Sequence, residues 1–410
     1  MNLLGKFEKV RSRGIISLMI FSMLSVTSLV HATSASWDGQ AGNGANFQDW
    51  SKKQNWGNVT PVPGVADTAT FGDLAAGAIL TPFAITPTSI SNIVFTATTN
   101  NYTFGGGAVL TVGGSIDNNG TTLQTINTSL ALARAQTWTA NTGNLAFGGT
   151  INNGGFALTI AGAANTSIAG IVSGSGALNK SGNGTLTITG ANTYSGATTV
   201  SAGRVLVNNT TGSGTGTGAV TVNGGTFGGK GTITGGLTLN SGGRISAGDS
   251  AGASRVGTFT SGAQTWNGGA AMDWEIKDAT SIAGTGWDLL SINGTLAINA
   301  TSGNKFTIDI STLTLANVAG NAVNFNDATG YTWTIATTTG GITGFDASAF
   351  DLITTGFSNP LNGSSQFFIS LVDGGNGLAI TYVPEPSTIA LGLMGAGVIA
   401  GRLFRRRNTK

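Results

Sequence analysis

Short apolar runs alternate with small and polar residues along most of this chain. The stretch 185–189 (TLTIT) puts Leu186 and Ile188 on one face and three threonines on the other. This period of two is that of a half-buried β-strand. A second run places Val205 and Val207 on one face. Glycine and asparagine, which tolerate the positive φ of tight turns, bracket these runs. The pattern predicts an all-β chain of short strands.

The spacing of the predicted strands favours a solenoid. Successive strand centres after position 180 are separated by 20, 16, 17 and 20 residues; they are Leu186, Leu206, Val222, Leu239 and Phe259. Such an irregular period suits stacked rungs joined by turns of variable length. Residues 262–383 contain longer strands and more aromatic residues. The sequence leaves open whether they continue the solenoid or form a sandwich-like terminal cap.

Composition narrows the chemistry that the chain can perform. Glycine accounts for 66 of 410 residues, about twice its usual ~7% share, and the alternating runs indicate a folded chain. There is no cysteine, so disulfides, thiolate nucleophiles and Cys-type zinc sites are excluded. The one histidine, His31, lies in the N-terminal segment, so the body lacks the commonest general base. No catalytic residue, cofactor or metal site is predicted.

The formal charge of +2 hides an acidic body. Nine of the 19 basic residues and two of the 17 acidic residues lie in segments 1–35 and 385–410. The 10 basic and 15 acidic residues between them give a net charge of −5. No basic patch is left to bind phosphates, so nucleic acid is not an expected partner.

The N-terminal 35 residues have the features of a cleaved secretory signal peptide. A basic segment, 1–13, precedes an apolar run, 14–30, and small residues allow cleavage after Ala32 or Ala35. A retained membrane anchor is the alternative. The basic N-terminus is expected to stay in the cytoplasm and the body outside. Export by the Sec machinery and cleavage by signal peptidase follow from this interpretation.

Aromatic residues dominate the segment that follows, 36–77. It contains three tryptophans among Gly, Asn and Asp: Trp37, Trp50 and Trp56. The first rung of a solenoid exposes an unpaired apolar end, so we expect this segment to be an N-terminal cap. A sugar-stacking platform is the alternative for the tryptophans.

One stretch, 173–209, carries a resemblance to a known repeat. Glycines and apolar residues alternate through it around an Asn-Thr-Tyr-x-Gly core at 192–196. This pattern resembles the autotransporter-associated β-strand repeat of exported bacterial surface proteins. The resemblance implies a right-handed parallel β-helix and no enzymatic reaction. A classical autotransporter is a weaker alternative, because its C-terminal barrel would end the chain in amphipathic strands, and this chain ends in an apolar run and arginines.

The C-terminal segment, 384–410, resembles the PEP-CTERM sorting signal. Its sorting motif combines a Pro-Glu-Pro triplet with an arginine cluster: Pro384, Glu385, Pro386, Arg405, Arg406 and Arg407. Between them, the run 388–401 would form a short transmembrane helix. The resemblance implies recognition by an exosortase, a membrane protease of Gram-negative bacteria that make exopolysaccharide. An ordinary C-terminal anchor is the alternative.

One carboxylate pair merits testing. Asp273, Trp274 and Glu275 would place both carboxylates on one strand face, where they could contact carbohydrate. Lys277 is the only cation beside them in sequence, which favours a solvated polar face with Trp274 in the core. A second hypothesis is that Asp249, Asp278 and Asp288 join the pair in a Ca²⁺ site, although their spacing matches no calcium motif.

Together these features predict the organisation of the chain. The chain is expected to consist of five consecutive segments: a signal peptide (1–35), an aromatic cap (36–77), a solenoid (78–261), a C-terminal β region (262–383) and a sorting signal (384–410). We expect a non-enzymatic surface or extracellular-matrix protein, anchored transiently in the inner membrane, sorted by an exosortase and associated with the envelope or exopolysaccharide. The alternative is an extracellular protein that binds or degrades polysaccharide on the same β-helix.

Overall fold

Short parallel strands stack in register along the chain. The computed structural model describes residues 34–38, 50–58, 60, 62–74, 83–84, 89–249, 255–363 and 366–385. The predicted signal sequence up to residue 33 and the tail from Pro386 onward lie outside them. In the described residues the regular structure is almost entirely β, with three 3-10 turns at Lys53–Trp56, Ala347–Ala349 and Asp373–Gly375.

Two long sheets run through the described chain. The first sheet has 13 strands in spatial order: β1 (Ala35–Trp37), β2 (Thr68–Phe71), β5 (Asn92–Phe95), β8 (Ile116–Asn118), β11 (Gln136–Ala140), β14 (Leu158–Ala161), β17 (Leu178–Lys180), β19 (Thr198–Val200), β21 (Val220–Val222), β23 (Leu237–Leu239), β26 (Gln264–Trp266), β29 (Leu296–Ile298) and β32 (Ile342–Thr343). The second sheet has 12: β3 (Phe83–Ala84), β6 (Thr103–Gly105), β9 (Gln124–Ile126), β12 (Leu145–Phe147), β15 (Thr166–Ile168), β18 (Thr185–Ile188), β20 (Arg204–Val207), β22 (Gly225–Gly229), β24 (Gly243–Ala247), β27 (Ala271–Ile276), β30 (Phe306–Thr312) and β33 (Phe350–Gly356).

Two shorter sheets form the third side at either end of the described body. The third sheet has the order β16 (Val172–Ser173), β13 (Ile151–Asn152), β10 (Leu130–Leu132), β7 (Leu110–Val112) and β4 (Ser89–Ile90). The fourth has the order β25 (Thr258–Ser261), β28 (Leu289–Ile292), β31 (Tyr331–Thr338), β35 (Gly377–Val383) and β34 (Gln366–Val372). Strands of the two long sheets alternate along the chain, joined by strands of the third sheet up to Ser173 and of the fourth from Thr258, which is the arrangement of a parallel β-helix. The all-β solenoid prediction is confirmed.

The core is built from columns of apolar side chains. Parallel pairing aligns Ile126, Phe147, Ile168, Ile188 and Val207, one from each successive strand of the second sheet, and all five are buried. Each rung therefore buries its apolar face only against its neighbours, as expected for a solenoid. Asparagines form a second kind of column at one turn, where each side-chain amide bonds the previous one over 2.7–3.1 Å; they are Asn223, Asn240, Asn267 and Asn299.

The N-terminal tryptophans lie in the interior. Trp37, Trp50 and Trp56 are buried together with Phe71, and the Trp50 and Trp56 ring centroids are 4.8 Å apart. Burial of the rings leaves no exposed surface for sugar stacking. β1 begins at Ala35 and pairs with β2. Cleavage of the predicted signal peptide after Ala32 would keep β1 whole, whereas cleavage after Ala35 would remove its first residue.

The region from 262 onward continues the stack and then changes direction. The first two sheets extend by parallel pairing to β32 and β33. In the fourth sheet, β35 pairs antiparallel with β31 on one side and with β34 on the other. Parallel stacking therefore continues beyond residue 262, and antiparallel pairing ends the fourth sheet. The domain boundaries stay a prediction.

Candidate functional site

The sorting motif begins where the last strand ends. β35 stops at Val383, and Pro384 follows directly. Proline has no N–H to continue a strand ladder, so it ends the pairing there. Glu385 is the last described residue, and a Cβ on Gly363 would lie 2.6 Å from its Oε2 atom. The start of the motif therefore lies close to the body but stays accessible, because Glu385 is exposed.

The membrane segment and the arginine cluster are not described. Pro386, Arg405, Arg406 and Arg407 lie outside the described residues, as does the run 388–401. Within the part of the chain that the structure describes, no helix is long and apolar enough to cross a membrane.

The side chains of Asp273, Trp274 and Glu275 on β27 point to two different faces of the strand. Trp274 is fully buried, donates from Nε1 to the Asp288 carbonyl oxygen over 3.0 Å, and lies 5.8 Å from the Trp333 ring centroid. Its place in the core agrees with the strand alternation. Asp273 and Glu275 both line a groove on the second sheet. Asp273 is partly exposed, whereas Glu275 is only 6% exposed, and carbohydrate contact at this triplet stays a prediction.

Arginines from other rungs pair with these carboxylates. Arg244 on β24 bonds Asp273, with Nε 3.0 Å from Oδ1, and also pairs with Asp309 on β30. Arg255 pairs with Glu275. The sequence interpretation, which found only Lys277 nearby, missed both arginines and Asp309. Strand register carries the missing signal, because Asp273 is aligned with Asp309 and with Ser246 on β24.

The resulting charged groove has a volume of about 200 Å³. Its charged and hydroxyl-bearing lining comprises Arg204, Ser246, Arg255, Glu275, Asp309 and Ser311, in addition to Asp273. The strands involved run from β20 to β30. At ~4.8 Å per strand, β20 and β27 are about 14 Å apart across three steps. The groove is therefore assembled from residues of several rungs.

Burial perturbs the ionisable groups of the groove. It raises the pKa of Glu275 above its usual value, with the Arg255 partner opposing the shift. It raises the pKa of Asp288 well above the usual range, and the Glu275 charge adds to this. Asp288 accepts bonds from the Gly257 and Glu275 amides over 2.9 and 3.0 Å. Burial lowers the pKa of Arg204, whereas the bond to Asp273 raises that of Arg244.

Three buried polar atoms of the groove have no hydrogen-bond partner. They are Arg204 Nη1, Arg255 Nε and Glu275 Oε2. Buried polar atoms are nearly always paired in folded proteins, so each such atom needs an explanation. Two of them are donors and one is an acceptor.

The calcium hypothesis gains no geometric support. Among the described residues no group of three His, Cys, Asp or Glu side chains could hold a metal ion. Asp278 instead accepts bonds from Thr280 and Asn324. Asp288 is enclosed by backbone amides, as above.

Family comparisons identify two segments of the chain. A model of the passenger-associated-transport-repeat matches residues 178–207. A model of the PEP-CTERM protein-sorting motif matches residues 383–407. A search of curated proteins found no match. The two matches confirm the resemblances that the sequence predicted, and the sorting motif indicates an exported protein sorted to the cell envelope.

Proposed function

We propose that this protein is a non-enzymatic component of the cell surface or extracellular matrix that associates with exopolysaccharide. The observation that carries the proposal is the placement of a PEP-CTERM motif at 383–407, directly after the final strand of a β-helix. The body is exported through the Sec system, held transiently in the inner membrane, and released or transferred by an exosortase. The rigid solenoid then serves as an extended surface.

The physical properties of the tail support this order of events. Fourteen helical residues at 388–401 would rise ~21 Å against a hydrocarbon core of ~30 Å, which makes a short anchor. Arg402 extends the span by snorkelling, and the arginines behind it stay on the cytoplasmic side. The body on the other side carries the passenger-type repeat at 178–207.

A second candidate function, polysaccharide degradation, rests on the carboxylates of the groove. General acid–base catalysis requires a carboxyl group that is free to exchange a proton. Asp273 and Asp309 are both bonded to Arg244, and Glu275 is paired with Arg255, so none of the three carboxylates is free of a cationic partner. The pairing favours binding over cleavage.

We therefore expect no turnover by the Asp273 and Glu275 pair. The purified exported protein is incubated with a panel of acidic and neutral polysaccharides, and new reducing ends and unsaturated products are measured. No release above a heat-inactivated control is expected. Release that disappears in Asp273→Asn or Glu275→Gln would establish the enzymatic alternative instead.

A further inference from the structure

Arg204 differs from the other arginines of the charged groove. Arg244 and Arg255 are each paired with carboxylates, but Arg204 forms no hydrogen bond or ion pair with the described residues. Its Nη1 atom is buried. A buried guanidinium nitrogen without a hydrogen-bond partner disfavours the folded state. A ligand that accepts hydrogen bonds would supply the missing partner.

Glu275, in contrast, lacks a hydrogen-bond donor. Its side chain lines the same groove and the residue is only 6% exposed. One carboxylate oxygen, Oε1, pairs with Arg255, while Oε2 has no donor. The nearby charges of Asp273, Glu275 and Asp249 favour the charged form of Arg204, and that of Arg255 opposes it, although burial has the largest effect and lowers the Arg204 pKa. The groove thus lacks acceptors for Arg204 Nη1 and Arg255 Nε and a donor for Glu275 Oε2.

The charge balance of the groove restricts what can fill it. Arg204 and Arg255 line the groove with three carboxylates, Asp273, Glu275 and Asp309. Arg244 pairs with two of these carboxylates, so the six groups together have a formal net charge of zero. Arg204 alone is left without a counter-ion bond among these described residues. A phosphate dianion would be repelled by the three carboxylates more strongly than a monoanion would. A neutral sugar would leave Arg204 without an anionic partner. A monoanion that also carries hydroxyl groups satisfies both needs.

The size and the hydroxyl lining favour a sugar acid. A volume of about 200 Å³ is below the ~300–1,000 Å³ of sites for drug-sized ligands, so the groove suits a single ring. Ser246 and Ser311 add hydroxyl groups to the lining. Sugar hydroxyls both donate and accept hydrogen bonds, as a mixed lining of this kind requires. Arginine is the preferred partner of a carboxylate because its planar fork can bind both oxygens.

We infer that the charged groove binds one uronate residue of an acidic polysaccharide, with the sugar carboxylate on Arg204 and a sugar hydroxyl donating to Glu275 Oε2. Arg204 Nη1 and Glu275 Oε2 have no existing hydrogen bond that a ligand would have to replace. Binding involves no covalent step. The inference rests on the proposed association with exopolysaccharide and specifies its chemistry and its site.

Calorimetric titration of the exported protein tests this inference. The probes are trigalacturonate, trimannuronate and triguluronate, with methyl-esterified trigalacturonate as the neutral counterpart. At least one uronate is expected to bind, and at least tenfold more tightly than the ester. Arg204→Met is expected to weaken that binding at least tenfold and to leave Tm unchanged or higher, because the arginine makes no bond. Arg134→Met, at an exposed arginine on another rung, is the matched control and should bind as the wild type does.

Contrary results are equally defined. The inference is overturned if no uronate binds, if the ester binds equally well, or if Arg204→Met binds normally. Should Arg204→Met fail to fold, Arg204→Lys takes its place; it is expected to keep the preference for the uronate over the ester with weaker affinity, and loss of that preference is contrary to the inference. Retention of the host exopolysaccharide by both wild type and Arg204→Met would overturn the inference but support the proposed function. Absence of any retention would contradict the proposed function itself.

Discussion

Replacing Pro384, Glu385 and Pro386 with alanines is expected to leave the full-length chain in the inner membrane. Each proline fixes its own φ and disfavours the α region for the preceding residue, so we expect an extended motif after β35, which ends at Val383. An extended segment is what a processing enzyme can bind. The substitution removes this conformation while the membrane run 388–401 and the arginines stay in place. Burying each arginine would cost a few kcal/mol, so the chain cannot pass through the membrane.

Membrane fractionation and immunoblotting of the envelope measure this effect. The wild-type body should leave the inner membrane almost completely, and the triple variant should leave it hardly at all. Alanine substitution of the exposed residues Pro360, Leu361 and Asn362 is the control, because it changes a nearby proline-containing loop and keeps the motif. Normal release of the triple alanine variant would show that the motif has no role in sorting.

Gly184→Ala is expected to destabilise the protein by about 3 kcal/mol, the upper end of typical overpacking effects. A Cβ at this position would lie 1.9 Å from the Ala164 carbonyl oxygen and 2.7 Å from its carbonyl carbon. Those atoms belong to the turn of the preceding rung, so the stacked backbones would have to move apart. The closeness of the turns explains why the repeat requires glycine there.

Denaturant unfolding followed by circular dichroism measures the loss. Gly107→Ala is the matched control, because its Cβ would meet no atom within 4 Å and its effect should stay within about 0.5 kcal/mol. Because rungs contact only their neighbours, hydrogen exchange should increase mainly in the strands next to Gly184. Equal stability of the two alanine variants would contradict the tight stacking.

The strands themselves were predictable from the sequence, but their assignment to sheets was not. Leu186 and Ile188 share the buried face that the alternation predicted. The five strand centres chosen to measure the period, however, fall in three different sheets, with Leu206 in the second, Val222 in the first and Phe259 in the fourth. Turns of variable length hide the true repeat, because no local pattern marks which turn closes a rung.

In the groove, too, features along one strand were predictable from the sequence, whereas contacts between rungs were not. Alternation along β27 predicted that Trp274 is buried and that Asp273 and Glu275 share a face. The pairing of Arg244 with Asp273 and Asp309 spans 29 and 65 residues, and that of Arg255 with Glu275 spans 20. These contacts depend on the register between rungs, which is set by the lengths of the intervening turns. Side chains distant in sequence therefore supply the charges that the carboxylates appeared to lack.

The intact mass of the exported wild-type protein tests the central claim most directly. Sorting by an exosortase predicts a chain that ends near Pro384 to Ser387, without the arginine cluster at 405–407. The loss of the basic tail would also leave the acidic body that the charge distribution predicts. Full-length protein that ends at Lys410, recovered from a host that has an exosortase, would contradict the claim.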